Sequence, residues 1–257
     1  MSNAVLAWSN LLIGAELAAS AETDDGRVGN IVKPQVVTAW RALAASAWFA
    51  ADLGAAQPMR VLMLLGVTLS PAATLRVRLS TSDAHAGDVY DSGIVAAGAA
   101  TGFDGRKQCL RVFPAAQTAH YVKVDLADGG AAFIDVGYAW IGDWWQPARN
   151  FSWGFQDGVQ TETVREISKG GQVYALRRPK ARVKRFALDF ATPTEAKTQM
   201  RQIDDRVGDH APFLMIPDPD AADAASEAII GTMTDLQPVT GRALNVRSRP
   251  FEMVELL

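Results

Sequence analysis

Short runs in which apolar and polar residues alternate dominate the first 145 positions. Leu75-Arg-Val-Arg-Leu79 alternates strictly, which predicts a strand with Leu75, Val77 and Leu79 facing a core and Arg76 and Arg78 facing water. Tyr121–Leu126 repeats the pattern, with Val122, Val124 and Leu126 inward. Val61–Leu65 is continuously apolar, as expected of a strand covered on both faces. Phe133–Ile141 predicts a further strand, ended by Gly142. Asp24-Asp-Gly26, Ala86-Gly-Asp88 and Asp128-Gly-Gly130 mark turns between the runs. Many short strands without an amphipathic helix predict a β-sandwich.

The pattern changes near Gln146-Pro147, which divides the chain into domains 1–145 and 146–257. Val159–Ile167 and Gln172–Arg178 flank Ser168-Lys-Gly-Gly171 and predict a polar β-hairpin with a glycine turn. Val183–Phe190 follows, with Phe186, Leu188 and Phe190 expected on one face. A helix is then predicted. Thr192 caps it, Pro193 suits its first turn, and Glu195 completes a Thr-x-x-Glu capping box. Ala196, Met200, Ile203 and Val207 recur at helical spacing, and Gly208 ends the helix. Phe213–Ile216 and Ala228–Met233 read as strands. In Leu244–Leu256 the apolar residues change parity, so a break or bulge is expected at Pro250, with a strand on each side. The fold class is therefore mostly β: a sandwich followed by a split-barrel-like domain with one helix.

The net charge of −3 argues against a general polyanion binder. The one cysteine, Cys109, can form no intrachain disulfide and lies in a strand-like run, as a passive packed thiol would. The N-terminal apolar run lacks a basic flank and is broken by Ser9 and Asn10, so neither an export signal nor membrane insertion is expected. His85, His120 and His210 lie in different segments without metal-ligand spacing, and no Gly-x-Ser-x-Gly, phosphate-binding glycine loop or His-Glu-x-x-His occurs. Glu162, Glu166 and Asp189 could pair as glycosidase carboxylates do, but solvated strand faces give the same pattern. No catalytic residue, cofactor or nucleic-acid partner is expected. Trp40, Trp48 and Trp140 are expected mainly in the core, and Trp8, Trp144, Trp145 and Trp153 in packing at domain ends. The basic run Arg177, Arg178, Lys180, Arg182, Lys184 and Arg185 reads as a solvated strand face or as a contact to an acidic neighbouring subunit.

Several pieces of the first half resemble, in order, the discoidin or coagulation-factor type C (galactose-binding-like) family. They are Asp25-Gly26 with Thr38-Ala-Trp-Arg41, Ala47-Trp-Phe-Ala-Ala-Asp-Leu-Gly54, Val77–Asp83, Tyr90-Asp-Ser-Gly93, His120–Val124 and Ala139-Trp-Ile-Gly142. The resemblance implies a jelly roll whose loops at one end bind sugars, lipids or protein surfaces. Asp24, Asp25, Trp40, Arg41, Asp83 and Asp88 become candidate ligand contacts. It also allows a structural calcium at Asp24, Asp25, Asp83 and Asp88, against a default of acidic turns without metal.

The second half, with its hairpin, strand, capped helix and further strands, resembles the tail-tube and distal-tail proteins of tailed phages. That resemblance implies a virion subunit, assembled in the host cytoplasm, that forms a homo-oligomeric ring with other tail proteins. The sandwich would then serve as a decoration or as a binder of host-surface glycan. The alternative is a soluble carbohydrate-binding, lectin-like protein.

Overall fold

The computed structural model describes residues 2–102, 105–161, 163–176 and 178–257. It is mostly β, with several antiparallel sheets, a curled half-barrel sheet and one helix of 14 residues. Two compact units are present. The first comprises 1–146 together with 213–229, and the second 147–212 together with 230–257. Residues 213–229 thus belong to the first unit although they follow the junction predicted at 145/146. The reason is pairing: Val5–Ala7 runs antiparallel to Phe213–Ile216. In addition, the Gln108 side-chain amide donates to the carbonyls of Ala225 and Ala228.

Two long strands, Ser46–Val67 and Lys107–Ala127, build the first unit. They pair along their length but shift register between Asp52 and Gln57. Asp52-Leu-Gly54 is therefore a bulge inside a strand, with Gly54 at φ +73°. On one side of the bulge the pair is extended by Thr74–Ser80 and Glu16–Ala19, on the other by Tyr138–Gly142. Side chains from both stretches meet in one core, which includes Trp40, Phe49, Leu62, Leu64, Val77, Val124 and Ile141. Leu75, Val77, Leu79, Val122, Val124 and Leu126 all point inward, as the alternation predicts. Cys109 is buried there as well, and burial pushes its thiol up to about 12.

Trp48 departs from expectation. Its neighbour Phe49 takes the inward parity, and Trp48 lies on the outer face beneath Lys123 (4.2 Å from the ring) and the edge of His85 (5.1 Å).

The second unit is built on antiparallel strands Ile229–Met233, Val246–Glu255, Lys180–Ala191 and Gln156–Thr161, with Thr240–Ala243 on Val246–Glu255. Val246–Glu255 passes through Pro250 without the expected break. Pro250 pairs with Ala187 on one side. On the other side it lies between the stretch paired to Ile229–Met233 and the stretch paired to Thr240–Ala243, where no ladder donor is required. The irregularity falls instead between Leu188 and Ala191. It buries Ala191 and leaves Phe190 half exposed, so Phe190 does not share the face of Phe186 and Leu188.

The helix starts as predicted. Thr192 Oγ1 accepts from Glu195 N (3.1 Å), and Glu195 Oε2 accepts from Thr192 N (2.8 Å). Met200, Ile203 and Val207 are its buried stripe. The turn Ala196–Met200 is widened to π geometry. The Met200 carbonyl accepts from Arg249 Nη1 at 3.0 Å, and the same guanidinium pairs with Asp204.

Candidate functional site

Three of the predicted ligand contacts come together at one end of the sandwich. Trp40–Ala42 pairs with Ile134–Val136, which sets Arg41 opposite Asp135. Asp135 receives Arg41 Nε and Nη2, both at 2.7 Å. This fork holds the guanidinium 4.6 Å over the Phe133 ring and raises the Arg41 pKa above its ordinary value, through the hydrogen bond first and the charge second. The Asp24-Asp25-Gly26 turn packs against the same strand. Arg41 N donates to Gly26 O (2.9 Å), and a Cβ at Gly26 would lie 2.7 Å from Arg41 Cβ. Asp24, Asp25, Arg41 and Leu43 are exposed around this ring–guanidinium pair. Phe133 and Asp135 belong to the patch too. The sequence reading missed them because Asp135 lies 94 residues from Arg41 and only strand pairing joins them.

The other candidates fall elsewhere. Trp40 is fully buried and donates from Nε1 to Ala21 O (2.9 Å), so it supports the patch from within and presents no face to a ligand. Asp83 and Asp88 lie on the loop 81–89. Asp83 Oδ1 caps His85 N, and Asp88 accepts from Thr81 Oγ1 at 2.9 Å. Hydrogen bonds from Ser80 and Thr81 hold the Asp88 carboxyl below the usual carboxylate range. Among the described residues, no group of three or more His, Cys, Asp or Glu is arranged to hold a metal ion.

The basic run is not one surface. Lys184 has no exposed side chain and contacts Asp157 at 2.8 Å. Arg182 is buried against Glu255 at 2.8 Å. Arg185 is half exposed and forked onto Glu252. Their strand is covered on both faces, so these cations are neutralised inside their own sheet and Arg182 and Lys184 are withdrawn from any neighbour. Arg178 and Lys180 are exposed, and Arg177 lies outside the described residues. Of the three carboxylates weighed as a catalytic set, Glu162 is also outside them. Glu166 stands exposed on the hairpin, and Asp189 accepts from Ser248 (2.6 Å) and Arg242 (2.8 Å).

The hairpin is the strongest departure from the sequence reading. Gln156–Thr161 pairs with Lys180–Arg185, and beyond a one-residue register slip Val164–Ile167 pairs with Val173–Leu176. The result is one two-stranded arm that runs out of the sheet. Its tip closes as a three-residue loop, with Gly171 at φ +82° and Gly171 N on Ser168 O (2.9 Å). Every strand residue of the outer arm is exposed. The arm is not polar. Val164, Tyr174 and Leu176 lie on one face and Ile167, Val173 and Ala175 on the other, and Ile167 is 73% exposed.

A cleft of about 330 Å³ lies where the arm joins the sheet. Trp153, Gln156, Arg185, Phe186, Ala187, Asp235, Gln237, Pro250, Phe251 and Glu252 are among its lining residues. Phe186 and Phe251 stack beneath it, with ring centroids 5.0 Å apart, and Trp153 at its lip is wholly exposed.

No family model matches the sequence, and no curated protein matches it. Over about half of the chain, the structure is similar to solved lectin and carbohydrate-binding modules. One is a mutant lectin-binding domain of Lectinolysin complexed with Lewis b (15% identity, TM-score 0.41, 54% of this chain and 98% of that one). Another is chitosan-binding module 1 of a chitosanase/glucanase from Paenibacillus sp. IK-5 (17% identity, TM-score 0.39, 52% and 98%). A third is CpGH89CBM32-6 from Clostridium perfringens (9% identity, TM-score 0.41, 52% and 99%).

Proposed function

We propose that this chain is a non-catalytic structural subunit that assembles with copies of itself, as a distal-tail or baseplate ring component of a phage-like tail would. The observation that carries the reading is the arm. A lone two-stranded ribbon is marginal in water, and this one exposes apolar side chains on both faces. Full burial of one such side chain is worth roughly 1.5–3 kcal/mol; Val164, Ile167, Val173, Tyr174 and Leu176 are between 43% and 73% exposed, so covering what they still expose offers on the order of 5–10 kcal/mol before the costs of association.

The test compares the mass of the full chain with that of a quadruple Ile167→Ser, Val173→Ser, Tyr174→Ser, Leu176→Ser variant by light scattering over a concentration series. The full chain is expected as an oligomer and the variant as a folded monomer. A monomeric full chain, or an unchanged oligomer in the variant, overturns the reading.

A second reading, glycan binding by the sandwich, is supported by the Arg41–Phe133 pair with Asp24 and Asp25 exposed in the turn that packs on the Arg41 strand. An aromatic ring beside a fixed guanidinium and free carboxylates offers both the apolar and the hydrogen-bonding contacts a pyranose uses. A glycan array should give hits that Arg41→Ala abolishes. An empty array, or hits unaffected by that substitution, removes the sandwich-end site.

A further inference from the structure

We infer that the cleft beside Trp153 is the seat for the arm tip of a second copy of this chain, so that copies join head to tail. The inference rests on the assembly reading and names the surface that meets the arm.

Three observations carry it. The cleft and the tip lie at opposite ends of one ribbon: Gln156 and Arg185 line the cleft, and Ser168 begins the tip twelve residues further on. At about 3.3 Å per residue the tip is ~40 Å away, so a paired ribbon cannot return to its own cleft. The polarities also match. One face of the tip presents Ile167, Val173 and Ala175. The cleft offers an aromatic floor, the sides of Ala187 and Pro250, and a bare Trp153.

The charges match as well. Arg165 shares the face of Ile167, and Lys169 follows in the turn; both are exposed, and no carboxylate among the described residues pairs with either. On the rim, Asp235 is exposed and accepts an amide of Gln237, with no cation paired to it among the described residues. Ile167 would enter the cleft, Arg165 would lie over the Trp153 ring and Lys169 would reach Asp235. Tip and seat are different patches of one chain, so the contact is heterologous and its repetition closes into a ring or runs on as a filament.

The test uses full chains in which one carries Lys169→Cys and the other Gln237→Cys, with different affinity tags. Cys109 is buried and does not compete. Mild oxidation of the mixture should give a disulfide-linked heterodimer, and a control pair using Ile94→Cys, exposed on the first unit, should not. Asp235→Arg and Trp153→Ser should each raise the half-dissociation concentration at least tenfold. Combining Lys169→Glu with Asp235→Arg should recover part of that loss. If the arm variant dissociates but no cross-link forms and the cleft variants keep the wild-type mass, the seat is wrong while the assembly reading stands. If the wild-type chain is a monomer, both fail.

Discussion

Trp40→Ala is expected to destabilise the first unit by about 3–5 kcal/mol, the range for removing a fully buried large aromatic side chain. Trp40 is wholly enclosed, meets Phe49 edge-on with centroids 5.8 Å apart, and satisfies its indole N–H on Ala21 O. Alanine leaves a cavity and strands that carbonyl. The next residue is Arg41, so the same change should also loosen the guanidinium held over Phe133. Trp40→Phe should cost less because it fills most of the volume and loses mainly the hydrogen bond. Urea unfolding followed by circular dichroism measures both. A loss under about 1 kcal/mol for the alanine variant would mean that the packing around Trp40 is not as described.

Arg249→Ala is expected to cost the second unit about 3 kcal/mol, near the lower end for breaking a buried ion pair. Arg249 is almost fully enclosed, donates to the Met200 carbonyl, pairs with Asp204 and lies 4.9 Å from the Phe251 ring. Its loss leaves a hole between the last strand and the helix. The cost stays at the lower end because the Asp204 side chain is 43% exposed and can rehydrate. Arg249→Met keeps most of the volume and should recover part of the loss, whereas Asp204→Asn leaves the enclosed guanidinium without its counter-charge and should cost more than Arg249→Met. Equal losses for alanine and methionine would assign the effect to charge rather than to packing.

Much of the fold was legible in the sequence where a local rule applied. Alternation correctly turned Leu75, Val77 and Leu79 inward, and the Thr192–Glu195 box correctly opened the helix. The misreadings share one physical origin: a neighbour across the sheet changed the meaning of a residue. A bulge opposite Arg247–Arg249 put Phe190 outside, and a gap between two partner strands made Pro250 harmless. Lys184 and Arg182 read as surface charges because nothing local announces that their strand is covered on both sides. The arm was found as a hairpin, but its exposed apolar residues look like ordinary strand residues until the missing second layer is seen. At the sandwich end, Asp24, Asp25 and Arg41 were legible as turn and strand residues. Phe133 and Asp135 were not, because strand register alone delivers them.

The return of residues 213–229 to the first unit bears on how this protein is made. During synthesis the first unit cannot be completed when residue 146 emerges, because the partner of Val5–Ala7 has not yet been translated. At about 5–20 residues per second the ribosome needs some seconds more to deliver it. Throughout that interval the nascent chain presents an unpaired apolar edge at Val5–Ala7, the kind of surface that general chaperones shield. A plasmid encoding only the first 145 residues would fix the molecule in that unfinished state.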